Sequence, residues 1–215
     1  MIHIDALLFD LDGTLIDSKR DLAHAVRRLQ QQYKSPLSSE KEVGTFIGDG
    51  VQKLVQRSLP QLPERDLDKA VDALKAYYRQ HCLDHTKLYP GVLSTLKHFR
   101  LKKMAVVTNK PVRISGFILD RLRLSPYFTV LIGGDSLPNK KPHPEPIRSA
   151  IATMGLRELR NVVMVGDSSN DIVSGRAARI RTCGVRSNIG DPKILAKSRP
   201  DFMISKIDDL MRLFS

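Results

Sequence analysis

The stretch Phe9-Asp10-Leu11-Asp12-Gly13-Thr14-Leu15 (FDLDGTL, residues 9–15) stands directly behind the apolar run Ala6-Leu7-Leu8. Two carboxylates, Asp10 and Asp12, flank one leucine where a buried strand runs out. At ~4 Å and an effective dielectric of ~20, two such charges repel by about 4 kcal/mol, so the pattern calls for a cation. Residues two apart in an extended strand point the same way, which aims both carboxylates into one pocket. Gly13 lets the chain turn sharply, and Thr14 is expected to hydrogen-bond back and hold the loop.

Four further apolar runs follow: Met104-Ala105-Val106-Val107, Val130-Leu131-Ile132, Val162-Val163-Met164-Val165 and Phe202-Met203-Ile204. Apolar on both faces and too short for helices, such runs suit strands of a covered parallel sheet. Helix-spaced segments lie between them, over residues 91–101, 112–122, 147–154 and 172–178. The alternation predicts an α/β fold with a Rossmann-like parallel sheet and right-handed crossovers.

The rhythm fails between residues 15 and 89, where no comparable run occurs. Asp17-Ser18 is expected to cap a helix ending near Gln32, and Ser38-Ser39 with Glu42 to open a second. Two more are predicted over residues 51–59 and 67–83, with Pro36, Pro60 and Pro63 at boundaries. The chain thus divides into an α/β core, residues 1–15 and 88–215, and an inserted helical cap domain, residues 16–87, set over the strand ends.

A chain of 215 residues, 41% of them hydrophobic, can bury a core of this size. The formal net charge of +12 is spread from Lys19-Arg20 to Arg186 without a basic block or interleaved aromatics. This reads as a solvated basic surface that draws in small anions, and no nucleic-acid partner is expected. Cys82 and Cys183 are too few and too far apart for a disulfide framework or a zinc site. Asp5 and Asp10 interrupt any signal-like run, and no stretch approaches the ~20 apolar residues of a membrane span. The expectation is a soluble, cytoplasmic monomer or homodimer.

Ligands of open α/β sheets bind beyond the carboxyl ends of the strands. Behind the successive runs stand Asp10 and Asp12, then Thr108-Asn109-Lys110, then Lys140-Lys141-Pro142, then Asp167 with Asp171. A carboxylate such as Asp10 can attack phosphorus and form an aspartyl-phosphate, and Asp12 can protonate the leaving oxygen and later deprotonate water. Mg²⁺ relieves the charge problem: Asp10 and Asp167 would offer carboxylates and Asp12 its backbone carbonyl. Asp171 is expected to share a helix face with Asp167 at i,i+4 and to orient ligands or the lysine. Thr108, Asn109 and Lys141 would supply donors to the phosphoryl oxygens.

In this order the motifs resemble the haloacid dehalogenase superfamily of phosphohydrolases: Asp10-Leu11-Asp12-Gly13-Thr14, Thr108-Asn109, Lys141, and Gly166-Asp167 with Asp171. The resemblance spans essentially the whole chain and implies a helical cap after the first motif. Within the superfamily the chain is similar to bacterial phosphoglycolate phosphatases through residues 46–51 (FIGDGV), 108–111 (TNKP), 132–135 (IGGD) and 140–144 (KKPHP). That implies Mg²⁺-dependent hydrolysis of a small phosphorylated metabolite, 2-phosphoglycolate, to glycolate and phosphate. Pyrophosphate- and nucleotide- or sugar-phosphate-cleaving relatives share several of these motifs and stand as the alternative. Gly50 would let the cap approach the substrate closely. A nucleic-acid-binding protein on a disused core is a reading from another class, and intact Asp10, Asp12, Lys141 and Asp167 argue against it. Departures are Arg179, where relatives commonly have glycine, and Arg186-Ser187-Asn188; His143 is read as structural.

Overall fold

The protein is described by a computed structural model covering residues 1–215. The chain opens with β1 (Ala6–Phe9) and β2 (Ile16–Asp17), followed by helices α1 (Lys19–Gln32), α2 (Glu40–Phe46), α3 (Val51–Ser58) and α4 (Leu67–His81). It continues through β3 (Lys87–Leu88), α5 (Val92–His98), β4 (Lys103–Val107), α6 (Val112–Arg121) and β5 (Val130–Ile132). The remainder is α7 (Glu145–Thr153), β6 (Val162–Gly166), α8 (Ser169–Ala177), β7 (Arg181–Val185), α9 (Pro192–Lys197), β8 (Phe202–Ile204) and α10 (Leu210–Leu213).

Six strands form one parallel sheet in the order β5-β4-β1-β6-β7-β8. The most apolar strands occupy its middle, and alternate residues of each feed two separate cores. Leu7, Phe9, Met104, Val106, Val163 and Val165 face one side; Ala6, Leu8, Ala105, Val107 and Met164 face the other, against Ile147 and Ile151 of α7. The first core continues unbroken through Val26, Leu29, Val55 and Leu74, so helices α1–α4 pack into the same apolar mass as the sheet.

Where α2 begins, Ser39 and Glu42 form the expected capping box, with Glu42 N donating to Ser39 Oγ at 3.2 Å and Ser39 N to Glu42 Oε2 at 2.7 Å. The start of α1 differs from expectation. Ser18 makes no cap bond; its hydroxyl donates to Asp12, and Asp17 Oδ1 accepts from Lys19 N at 3.3 Å. Thr14 hydrogen-bonds back through its N–H, to Leu11 O at 3.3 Å, while its hydroxyl reaches across to Asp167 Oδ1 at 3.3 Å.

Two strand features are absent from the apolar-run reading. β7 (RTCGV) carries polar Thr182 and Gly184, whose identities conceal it. Thr182 is satisfied by Asp201, which accepts from its N–H at 2.7 Å and its hydroxyl at 2.8 Å. Gly184 leaves room for Met203 and Pro200, which a Cβ would meet at 3.1 and 3.2 Å. β2 and β3 pair antiparallel, Ile16 with Leu88 and Asp17 with Lys87, where the chain leaves and re-enters the α/β part. Cys82 and Cys183 are buried free thiols. No helix is long and apolar enough to cross a membrane.

Arg179 follows α8 in the left-handed region with φ of 63°. An exposed side chain held there is strained by about 1 kcal/mol. Arg179→Gly should therefore raise stability by about 0.5–1 kcal/mol in a denaturant titration, without changing m.

Candidate active site

β1, β4 and β6 end side by side, and each delivers polar residues to the same rim. Past β1 the chain must turn at once, and Gly13 makes that possible. Its φ is +87°, and a Cβ there would lie 2.0 Å from Asp167 Oδ2. Leu11 O gathers the N–H groups of Thr14, Leu15 and Ile16, whereas none of the loop's main-chain hydrogen bonds ends on the Asp12 carbonyl.

Lys141 lies between two aspartates, donating from Nζ to Asp10 Oδ1 at 2.9 Å and to Asp171 Oδ1 at 2.5 Å. Asp10 Oδ2 takes no hydrogen bond and Asp10 lines the pocket. Oxygens of Asp10, Asp167 and Asp171 lie within 4.8 Å of one another. Asp167 Oδ2 accepts from Ser187 Oγ at 2.7 Å.

The proximity of Asp171 to Asp167 has a different origin from the expected shared helix face. Asp167 precedes α8, and Asp171 is drawn in by a capping box: its Oδ2 accepts from Ser168 N at 3.0 Å and Ser168 Oγ at 2.7 Å. With Oδ1 on Lys141, both its oxygens are engaged.

Asp12 points into the same pocket, where Lys110 Nζ contacts its two oxygens at 2.9 and 3.0 Å. Lys110 also donates to Tyr78 Oη at 2.9 Å, which ties α4 to this pair. Burial alone would lower the Lys110 pKa, but Asp12 and Tyr78 outweigh it and raise it. The sequence reading placed Lys110 beyond the strand without giving it a role, and passed over Tyr78 and the contact of Ser187 with Asp167. Lys110 was findable from its position after Thr108-Asn109; Tyr78 has no local signal, because its partner lies 32 residues away.

Thr108 is buried at the rim and its Oγ1 accepts from Lys110 N at 3.3 Å. The Asn109 side chain has a different task from the one expected. Its amide donates to Gly48 O at 2.8 Å and Lys141 O at 2.9 Å, so it joins the loop before α3 to the lysine loop and keeps only its backbone N–H as a donor for a ligand, while its Oδ1 is buried without a partner. That loop is fastened further by Lys140 Nζ to Asp49 O at 2.8 Å and Asn170 Nδ2 to Asp49 Oδ1 at 2.6 Å. Gly50, with φ of +88°, approaches Lys140 and Asn109: a Cβ would meet Lys140 Nζ at 2.8 Å and Asn109 O at 3.4 Å.

Four buried or nearly buried carboxylates thus share two ammonium groups, leaving two negative charges uncompensated. Burial, reinforced by Asp171 and Asp12 and opposed by Lys141, pushes Asp10 up to about 6. Asp167 is raised well above the carboxylate range, by burial first and then by Asp10 and Asp171. The oxygen-only donor set of Asp10, Asp167 and the Asp12 carbonyl fits a hard dication such as Mg²⁺. The pocket lined by Asp10 and Asp12 measures about 750 Å³ and is walled by Leu54, Leu74 and Tyr78 from the helices and Ile114 and Phe117 from α6.

A family model described as haloacid dehalogenase-like hydrolase matches residues 7–185. A phosphoglycolate phosphatase of Neisseria meningitidis is 38% identical over 97% of this chain and 92% of its own. Phosphoglycolate phosphatase 1 of Pseudomonas aeruginosa is 35% identical over 95% of this chain and 78% of its own. A crystal structure of a predicted phosphoglycolate phosphatase from Haemophilus somnus superposes with a TM-score of 0.93 at 31% identity, covering 99% of each chain.

The raised carboxylates fix a pH dependence. Asp10 rises from 3.8 to about 6, so between those values the folded state holds more protons than the unfolded one. Metal-free stability should fall as pH rises from about 4 to 6 by roughly 3 kcal/mol and stay low above that window. Saturating Mg²⁺ should remove the fall, and Asp167→Asn should stabilise the metal-free protein while losing the Mg²⁺ response. Thermal unfolding across this pH range, with and without Mg²⁺, measures all three.

Proposed function

The chain belongs to the haloacid dehalogenase-like hydrolase family, and from that premise we propose that it is a Mg²⁺-dependent phosphomonoesterase hydrolysing 2-phosphoglycolate to glycolate and phosphate. The observation that carries the reaction class is Asp10: buried, gripped at Oδ1 by Lys141, with Oδ2 unbonded at the pocket. The substrate rests on the relatives' names, at 38% and 35% identity over nearly the whole chain.

In the proposed reaction Asp10 Oδ2 attacks phosphorus as the bond to the leaving oxygen breaks, and Asp12 delivers its proton to that oxygen. Asp12 then takes a proton from the water that attacks the aspartyl-phosphate, releasing phosphate and restoring Asp10. Lys110 and the Ser18 hydroxyl hold the Asp12 carboxylate in place for both transfers. Lys141, Thr108 and the backbone N–H of Asn109 face the phosphoryl oxygens, where fixed donors have most effect. Asp10, Asp167 and the Asp12 carbonyl would hold Mg²⁺, which neutralises charge on the phosphoryl group. Asp171 holds Lys141 rather than the ion. Residues 16–87 serve as a cap whose loop at Gly48–Gly50 closes the pocket.

The size of the pocket, about 750 Å³, supports a second reading, a larger nucleotide or sugar phosphate in place of the two-carbon ester. Measuring kcat/KM for 2-phosphoglycolate, pyrophosphate, a nucleoside monophosphate and a hexose phosphate separates the two. The first reading expects 2-phosphoglycolate to lead by at least about tenfold. A lead for the nucleotide or sugar establishes the second, and no hydrolysis of any ester with Mg²⁺ present refutes both.

Asp10→Asn should abolish turnover with unchanged circular dichroism, and chelation should silence the wild type until Mg²⁺ is returned. Lys110→Met should lower kcat by about 10–100-fold, the usual cost of removing a group that orients a reacting one. Steady-state kinetics on the folded variants checks each.

A further inference from the structure

A second constellation lies away from the phosphate pocket, on α1 and the turn that leads into β3. Asp21 is 1% exposed, yet no lysine or arginine pairs with it. Its Oδ2 is well supplied, accepting from Thr86 N at 2.8 Å and Thr86 Oγ1 at 2.7 Å. Its Oδ1 receives only one arm of a shared bond, from His85 N at 3.0 Å. The imidazoles of His24 and His85 stand beside it, edge to face with centroids 5.3 Å apart. Neither ring makes a hydrogen bond within the chain. One donor atom from each of Asp21, His24 and His85 falls within 4.8 Å of the others.

We propose that Asp21, His24 and His85 form a second metal site, for a borderline divalent ion of the zinc type, which clips α1 to the turn entering β3. Two imidazole nitrogens and one carboxylate oxygen suit Zn²⁺, Ni²⁺ or Cu²⁺, whereas Mg²⁺ prefers oxygen alone. The two sites therefore select different ions. Donors at about 2.1 Å from a tetrahedral ion stand roughly 3.4 Å apart, so the present spacing needs only small ring rotations. Asp21 and His24 are one helical turn apart on α1, and exposed His85 is free to swing. Three protein ligands leave a position for water. The ion supplies the positive charge that buried Asp21 lacks.

This site is independent of the phosphatase reading, and its test is too. Untagged protein, its carboxylate rim saturated with Mg²⁺, is titrated with ZnCl₂ by calorimetry and followed by thermal unfolding. One equivalent of Zn²⁺ should bind and raise Tm. His24→Ala and His85→Ala should each weaken binding by at least about tenfold and remove the Tm rise, because losing a ligand costs no less than losing its support. Asp10→Asn should bind Zn²⁺ as the wild type does. Absence of zinc binding in the wild type overturns the site, as does undiminished binding in either histidine variant or loss of binding in Asp10→Asn. His85 is exposed, so His85→Ala tests the site in a folded chain even where His24→Ala lowers stability.

Discussion

Two surplus negative charges at the carboxyl ends of the central strands govern the architecture around them. Asp10, Asp12, Asp167 and Asp171 stand within reach of only Lys110 and Lys141, and neither lysine can serve all four. Asp10, Asp167 and Asp171 bring oxygens within 4.8 Å of one another, and like charges ~4 Å apart repel by about 4 kcal/mol at an effective dielectric of ~20, a large share of the stability of a small domain. Such a cluster persists only on a rigid support. β1 supplies it, fully buried and hydrogen-bonded on both sides by β4 and β6. The basic surface of the whole chain acts in the same direction, favouring anions at long range.

The loop above the rim is fastened by weaker means. Asn109, Asn170 and Lys140 hold it through side-chain hydrogen bonds to Gly48 and Asp49. Each such bond has a net value of about 1 kcal/mol, less than the burial of one large core side chain, so the polar seam is weaker than the apolar mass beneath it. Asn109 is the economical element, since the same amide also grips Lys141 O. The covering loop therefore docks on a rim whose lysine is already in position.

The sheet was legible wherever a strand was uniformly apolar, because burial on both faces leaves a run that few other structures need. β7 escaped for a physical reason: Thr182 finds its partner in Asp201, and Gly184 yields space to Met203, so tertiary contacts supply what local hydrophobicity lacks. The rim residues were visible because each follows a strand. Their supporting partners were not, since Ser18 and Ser187 meet the aspartates, and Tyr78 meets Lys110, only through the fold. The position of Asp171 was anticipated on a mistaken ground; capping of Ser168, not helical periodicity, sets it. The role of Asn109 was hidden for a related reason, because nothing in its neighbours specifies which carbonyls its amide will meet.

The antiparallel pair of Ile16 with Leu88 and Asp17 with Lys87 is the sole strand pairing at the two chain crossings. Ile16 O also receives the N–H of Gly13, beside Asp12. The crossing thus abuts the acidic loop directly, with only Gly13, Thr14 and Leu15 between Ile16 and Asp12. The backbone turn that anchors the crossing is therefore the same one that sets where the Asp12 side chain stands, so one hydrogen-bonded hinge of chain answers to both ends.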